Sequence, residues 1–236
     1  MRKRLLLTVL ILMASFIQSS VHPPGGKVGM VMNVLGEQPE TAADLSGLGF
    51  AYLAAGRFEE ATLPLEQAAE LQPDLAQVHF QLGLAYGALG RHHDKMERYR
   101  IAIELQPEFA LAHFKLAQAL AVEDYHQEAI EHYKTALQIR PGLTQINYFL
   151  GLSYFLTKRY QESVQAFETA VAVNPDEGRA WHGLALAHLE LGHHKKALGP
   201  LKKALELLPP IPQEPQAVPV KFRAKPIFQG QVAQAH

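Results

Sequence analysis

The chain has 236 residues, of which 48% are hydrophobic and 19% are charged, a balance typical of one or two globular domains. Its formal net charge is −1, so it lacks the excess of basic residues with which nucleic-acid-binding proteins neutralise phosphates. Cysteine is absent, which excludes disulfides, thiolate metal sites and cysteine nucleophiles.

The first twenty residues have the pattern of an export signal. Residues 2–4 are basic, residues 5–17 contain no charged side chain, and the small polar residues Ser19 and Ser20 follow. A basic start, a short apolar stretch and small residues are typical of a secretory signal peptide. The apolar stretch is shorter than the roughly 20 residues that span a bilayer. We therefore expect residues 1–20 to direct export. The alternatives are an uncleaved membrane anchor formed by residues 5–17 and a buried N-terminal helix.

Residues 21–41 are expected to form a linker followed by a capping half-repeat. Val34 and Pro39 lie one repeat length before Ala68 and Pro73, which belong to the repeat that follows. A helix across Met30–Leu35 would shield the first apolar face of that repeat, because the ends of stacked repeats need polar caps.

A single fixed period runs through the chain without an insertion. Three columns carry it: Pro73, Pro107, Pro141, Pro175 and Pro209; Ala68, Ala102, Ala136, Ala170 and Ala204; Leu48, Leu82, Leu116, Leu150 and Leu184. This 34-residue period predicts five units, 42–75, 76–109, 110–143, 144–177 and 178–211. Apolar residues recur at helical spacing within each unit, so each is expected to form two helices, the second of which ends at the proline.

The pattern resembles the tetratricopeptide repeat (TPR), whose signature is W-x2-L-G-x2-Y, then A-x3-F, A and P. The fourth unit has Leu150-Gly151-x2-Tyr154, Ser163-x3-Phe167, Ala170 and Pro175; the fifth has Trp181-x2-Leu184-Ala185, Ala197-x3-Leu201, Ala204 and Pro209. The resemblance covers residues 42–211. It implies an all-α fold, a right-handed α-solenoid of stacked antiparallel helix pairs with a concave inner face.

In this family the first helix of each pair lines the concave surface, where partner segments bind. The matching positions here form a candidate groove of mainly apolar and aromatic residues: Phe50, Phe80, Gln81, Leu84, Phe114, Lys115, Gln118, Tyr148, Phe149, Leu152 and Phe155. The expected ligand is an apolar helix or extended segment of another protein. The alternative is that some of these rings pack between neighbouring helices. A basic clamp for a C-terminal carboxylate, which some members carry, is not expected because Lys115 alone could contribute to it.

No catalytic, cofactor or metal site is predicted. The sequence contains no Gly-x-Ser-x-Gly elbow, no phosphate-binding loop and no His-Glu-x-x-His motif. Histidines 92, 93, 126, 193 and 194 are predicted to occupy turns, where each adjacent pair supplies too few ligands for an ion. His79 and His113 align with Trp181 and are predicted to be packing residues. Pro64 and Pro200 are expected to kink their helices or to lie in a first turn.

Residues 212–236 are rich in proline and are expected to form an extended tail. Within it, Val218, Val220 and Phe222 alternate with Pro219, Lys221 and Arg223, which leaves an extended docking segment as the alternative to a free tail.

Together these features predict an exported, non-enzymatic interaction scaffold, in the bacterial periplasm or secreted. By analogy with the family, it would act in envelope assembly or secretion. One alternative is a structural protein that self-associates through its uncapped C-terminal end or its tail. The remaining alternative is a regulatory subunit of an enzyme. The expected partner is another protein, with a homo-oligomer as the alternative. Binding to nucleic acid is not expected. Attachment to a membrane is expected only if the N-terminal segment stays uncleaved.

Overall fold

The computed structural model describes residues 41–208. Within that range the chain forms ten α-helices and no strand. In chain order the helices are α1 (Ala42–Ala54), α2 (Phe58–Leu71), α3 (Ala76–Ala88), α4 (His92–Leu105), α5 (Ala110–Val122), α6 (His126–Ile139), α7 (Ile146–Leu156), α8 (Tyr160–Val173), α9 (Gly178–Glu190) and α10 (His194–Leu207). The predicted signal segment, the predicted capping helix at Met30–Leu35 and the predicted tail lie outside the described residues.

The helices stack as five consecutive pairs. The two helices of a pair pack against each other, and the second helix of each pair also packs against the first helix of the next. First helices of neighbouring pairs contact one another as well, in α1 with α3, α5 with α7 and α7 with α9. Second helices do not pack closely on one another in the described range. The first helices therefore form the tighter, inner row of a curved array, which confirms the predicted all-α solenoid.

In three of the five pairs, a glycine on the first helix meets a bulky side chain on the second. A Cβ built on Gly151 would lie 2.9 Å from the ring of Phe167, which is closer than real Cβ contacts allow. Gly83 stands in the same relation to Tyr99. Both rings are buried, so the pairing of a small column with a bulky one is confirmed. The missing side chain is what lets the two backbones approach.

The turn inside each pair contains one residue in the left-handed conformation. Gly56, Gly90 and Gly192 have φ angles of 71°, 75° and 73°, and the corresponding Asp124 and Lys158 have φ angles of 63° and 61°. A side chain with a Cβ costs about 1–2 kcal/mol in this region, whereas glycine adopts it without penalty. The third and fourth units therefore carry local strain that the others avoid.

A ring nitrogen near the start of three first helices bonds to the proline carbonyl that ends the preceding unit. The donor and acceptor pairs are His79 Nε2 with Pro73 at 2.8 Å, His113 Nε2 with Pro107 at 3.0 Å, and Trp181 Nε1 with Pro175 at 2.7 Å. His79 and His113 are buried, so their prediction as packing residues is confirmed. Each bond satisfies a backbone carbonyl in the loop between two helices, where no intrahelical donor is available.

One local prediction was wrong, and the first-turn alternative of a second is excluded. His92, His126 and His194 do not lie in turns but are the first residues of α4, α6 and α10, and His93 is the second residue of α4. The left-handed residue reverses the chain so sharply that the second helix begins two residues later. Pro64 and Pro200 do not lie in a first turn, because each is the seventh residue of a helix that continues beyond it. Each ring deprives one carbonyl in the first turn of its intrahelical donor.

Candidate peptide-binding groove

A concave pocket of about 500 Å³ opens on the inner side of the array. It lies between α5, α7, the end of α8 and the start of α9. Three aromatic residues and two small apolar ones form its walls, and polar residues surround them. The lining residues are Phe114, Tyr148, Phe149, Ala170 and Val173, with Lys115, Gln118, Thr144, Gln145, Asn174, Glu177 and Arg179.

The aromatic wall is held in place from behind. The ring of Phe149 lies 5.8 Å from that of Phe114 and stacks on that of Tyr133 at 6.2 Å between centroids. Tyr148 contacts Phe149 edge-on at 5.2 Å and lies 6.1 Å from the buried ring of Phe167. Tyr148 and Phe149 remain partly exposed. Because core rings support them, these two residues offer an apolar surface that loses little entropy when a ligand binds.

The rim of the pocket carries an excess of positive charge. The Nζ atom of Lys115 lies 5.6 Å from the centroid of the Phe114 ring and donates a hydrogen bond of 3.3 Å to Gln118. No carboxylate in residues 41–208 forms an ion pair with it. Arg179 bonds to Glu177 at 2.9 Å, which raises the pKa of the guanidinium. The pair of Arg179 and Glu177 is neutral as a whole. The pocket therefore has a net formal charge of +1, which comes from Lys115.

The structure brings five of the predicted groove residues into this pocket: Phe114, Lys115, Gln118, Tyr148 and Phe149. Phe114 is only 4% exposed, so its main role is in the core beneath the pocket. Of the residues outside the pocket, Phe50 and Leu152 are 45% and 38% exposed and can contact a ligand farther along the inner face.

Four predicted groove residues lie in or against the core instead. Phe80 is buried, with its ring 5.8 Å from that of Tyr99 and 4.9 Å from that of Phe109. Gln81 is also buried and accepts a hydrogen bond of 2.9 Å from Ser46. Leu84 and Phe155 are partly buried and pack against hydrophobic clusters, as Tyr148 and Phe149 do, but they lie outside this pocket. The alternative that some of these side chains pack between helices therefore applies to them.

Sequence reasoning missed most of the polar rim. Gln145 lies three residues before Tyr148, a predicted groove residue, and Arg179 occupies the position equivalent to Gln145 in the next unit. Residues three apart on a helix share a face, so this column could have been identified. Asn174 and Glu177 come from the loop between α8 and α9. Their position depends on how that loop folds, which the repeat period does not specify.

A pair of histidines connects α5 to α6 behind the pocket. The Nδ1 atoms of His113 and His132 lie 2.9 Å apart. Because Nε2 of His113 must donate to the Pro107 carbonyl, its neutral Nδ1 accepts and Nδ1 of His132 donates. Burial lowers the pKa of both rings. Repulsion from His113 adds to the effect at His132, and Glu128 opposes it there.

The described residues contain one cluster with the spacing of a metal site. Ligand atoms of His93, Asp94 and Glu97 lie within 4.8 Å of one another at the start of α4. The cluster is largely exposed, and Asp94 already pairs with Arg91 at 2.6 Å, so we assign no ion to it. None of the ten helices between residues 41 and 208 is long and apolar enough to cross a membrane.

Family models match the chain across all five helix pairs. Two models of the tetratricopeptide repeat match residues 80–144 and 142–209, and a model of the TPR repeat matches residues 49–90. A comparison with curated proteins found no significant match.

Solved structures of a protein called MamA have a similar fold. One crystal structure of MamA is 25% identical, with a TM-score of 0.63 over 67% of this chain and 92% of that one. A second is 25% identical, with a TM-score of 0.66 over 72% of this chain and 92% of that one. MamA from Desulfovibrio magneticus RS-1 is 22% identical, with a TM-score of 0.66 over 72% of this chain and 97% of that one.

Proposed function

The chain belongs to the tetratricopeptide repeat family, and we propose that it is an exported, non-enzymatic scaffold that binds a segment of another protein in its concave groove. The fold is that of a protein-interaction scaffold, in which stacked repeats form an extended concave surface. Folds of this kind are typically non-enzymatic. Which partner such a scaffold binds depends on the residues of its site and not on the fold.

The pocket between α5, α7 and α9 is the observation that carries the proposal. A volume of about 500 Å³ is within the range of ligand sites, and it suits a few side chains rather than a whole helix. The partly exposed rings of Tyr148 and Phe149 supply apolar contact area. Burying one large apolar side chain against them is worth about 1.5–3 kcal/mol.

The occupant that fits best combines an apolar anchor with an acceptor oxygen. Lys115 has an amide rather than a carboxylate as its partner, so a carboxylate or backbone carbonyl of the ligand can take that place. The amides of Gln118, Gln145 and Asn174 can pair with the backbone of an extended segment. A charged hydrogen bond of this kind is worth about 1.5–3 kcal/mol.

Export is the second part of the proposal, and it is supported by the sequence of residues 1–20. The basic start and short apolar stretch favour transfer across a membrane, and we place the protein in the bacterial periplasm. A role in envelope assembly or secretion accords with a scaffold in that compartment. Mass spectrometry of the protein from its host tests export. Loss of about twenty N-terminal residues supports it, and an intact cytoplasmic chain contradicts it.

Crosslinking capture from the native envelope fraction tests the groove. The baits are the wild-type protein, Lys115→Glu, and Lys134→Glu as the matched control. Both substitutions reverse one lysine charge, but Lys134 is exposed on α6, a second helix, and pairs with Glu131. We expect wild type and Lys134→Glu to capture the same protein and Lys115→Glu to lose it.

Circular dichroism should show that all three baits are equally folded. Equal capture by Lys115→Glu would place the binding surface outside this pocket and contradict the proposal.

A further inference from the structure

The two ends of the array are complementary halves of a junction that the chain builds four times. At each internal junction a second helix packs against the first helix of the next pair, as α8 packs against α9. Within residues 41–208, no helix follows α10 and none precedes α1.

The outer face of α10 is apolar where the equivalent face of α8 is covered. Leu198 and Leu205 lie one repeat length after Val164 and Val171. Val164 and Val171 are 9% and 7% exposed, whereas Leu198 and Leu205 are 66% and 72% exposed. The difference is the contact area that a following first helix would cover. Leu198 and Leu205 are seven residues apart, so they lie on one face of α10 and form an apolar strip that a helix could cover.

The outer face of α1 is likewise exposed where the equivalent faces of later first helices are buried. Leu48 and Ala51 are partly exposed, although the corresponding Leu82 and Ala85 are 0% exposed beneath α2. Asp44 is exposed at the position where later units bury an apolar residue. This face is thus apolar with one carboxylate. In the later units, the same positions pack against the second helix of the preceding pair.

The charges of the two end units are opposite. Residues 42–75 contain one arginine against six acidic residues, and residues 178–211 contain five lysines and arginines against two acidic residues. Lys195 and Lys202 precede the two exposed leucines by three residues and share their stripe on α10. Two such basic faces would repel each other, whereas a basic face and the acidic end attract.

We propose that a second copy of this chain docks head to tail, with α10 of one copy against α1 of the next. Leu198 and Leu205 then take the places that Val164 and Val171 occupy beneath α9, and Asp44 faces the lysine stripe. The contact is heterologous, so it leaves a free face at each end and growth can continue. The concave groove remains open in every copy.

Three variants of the full-length protein test this arrangement. Leu198→Gln with Leu205→Gln removes the apolar face of α10, and Asp44→Arg places a cation on the face of α1. Leu63→Gln is the control, because Leu63 is 62% exposed on α2 and lies on neither end face. All the substituted side chains are exposed, so the fold should be retained.

Sedimentation velocity at protein concentrations from 1 to 100 μM measures the size of the assemblies. We expect wild type and Leu63→Gln to grow beyond the dimer, less so at high salt, and each end variant alone to remain monomeric. A 1:1 mixture of the two end variants should stop at the dimer, since each supplies one intact face. A monomeric wild type would mean that another segment, such as residues 1–40 or 209–236, covers an end in its own chain. Dimers of Asp44→Arg alone would indicate contact between two α10 faces. Either result overturns the proposal.

Discussion

Replacing Gly151 by alanine probes the packing that holds a helix pair together. The new Cβ would lie 2.9 Å from two ring atoms of Phe167, whose side chain is 1% exposed. The ring cannot retreat, because Gly183 lies against its far edge. Overpacking of this kind costs about 1–3 kcal/mol. Alanine also gains about 1 kcal/mol over glycine in a helix interior, which offsets part of that cost.

Gly47→Ala separates the two contributions. Gly47 is also inside a helix, but no atom lies within 4 Å of a Cβ built there. We therefore expect Gly47→Ala to raise the free energy of unfolding by about 1 kcal/mol. Gly151→Ala should be less stable than Gly47→Ala by about 1–3 kcal/mol.

Urea-induced unfolding followed by far-ultraviolet circular dichroism measures both variants. Phe167→Leu should reduce the penalty of Gly151→Ala in the double variant, since the fifth unit pairs an alanine, Ala185, with a leucine, Leu201, at these two positions. If Gly151→Ala is as stable as Gly47→Ala, the close approach of α7 and α8 is not what requires the glycine, and the reasoning is refuted.

Three further outcomes are expected. Lys158→Gly should raise the free energy of unfolding by about 1 kcal/mol in urea titration, because it removes a left-handed residue with a Cβ; an unchanged midpoint would contradict this. Ala136→Leu should lower that free energy by about 1–3 kcal/mol, because Ala136 is 0% exposed in the helix crossing; melting like wild type would contradict the packing. Burial lowers the pKa values of His113 and His132 in the folded state, so the unfolded chain binds more protons below its ordinary histidine pKa of 6.5. Stability should therefore fall as the pH drops from 7 to 5, and His132→Gln should flatten that dependence; an equal slope in both proteins would contradict it.

The repeat period predicted the helix pairs because it records a repeated packing requirement. Gly151 and Phe167 must be small and large at fixed spacing for two helices to cross, and the sequence shows this directly. Helix starts were less predictable. His92 begins α4 because the left-handed Gly90 shortens the turn, and backbone conformation of that kind is not visible in an apolar pattern.

The groove could be predicted only in part, because the family pattern identifies a helix face and not the depth of each side chain on it. Tyr148 and Phe149 stay accessible, whereas Phe80 is covered by Phe109 from the loop before α5. Similarly, the rim residue Asn174 comes from a loop. Loop placement depends on tertiary packing that a single sequence does not display.

Site-specific photocrosslinking shows whether a partner segment binds in the concave groove. A photoreactive residue at Gln145, which is exposed at the rim of the pocket, is compared with one at Gln138, which is exposed on α6. In the native envelope, we expect the probe at Gln145 to form one adduct that maps to a short segment of a single protein, and the probe at Gln138 to form none with that protein. The same adduct from both positions, or no adduct from Gln145, would contradict binding in the concave groove.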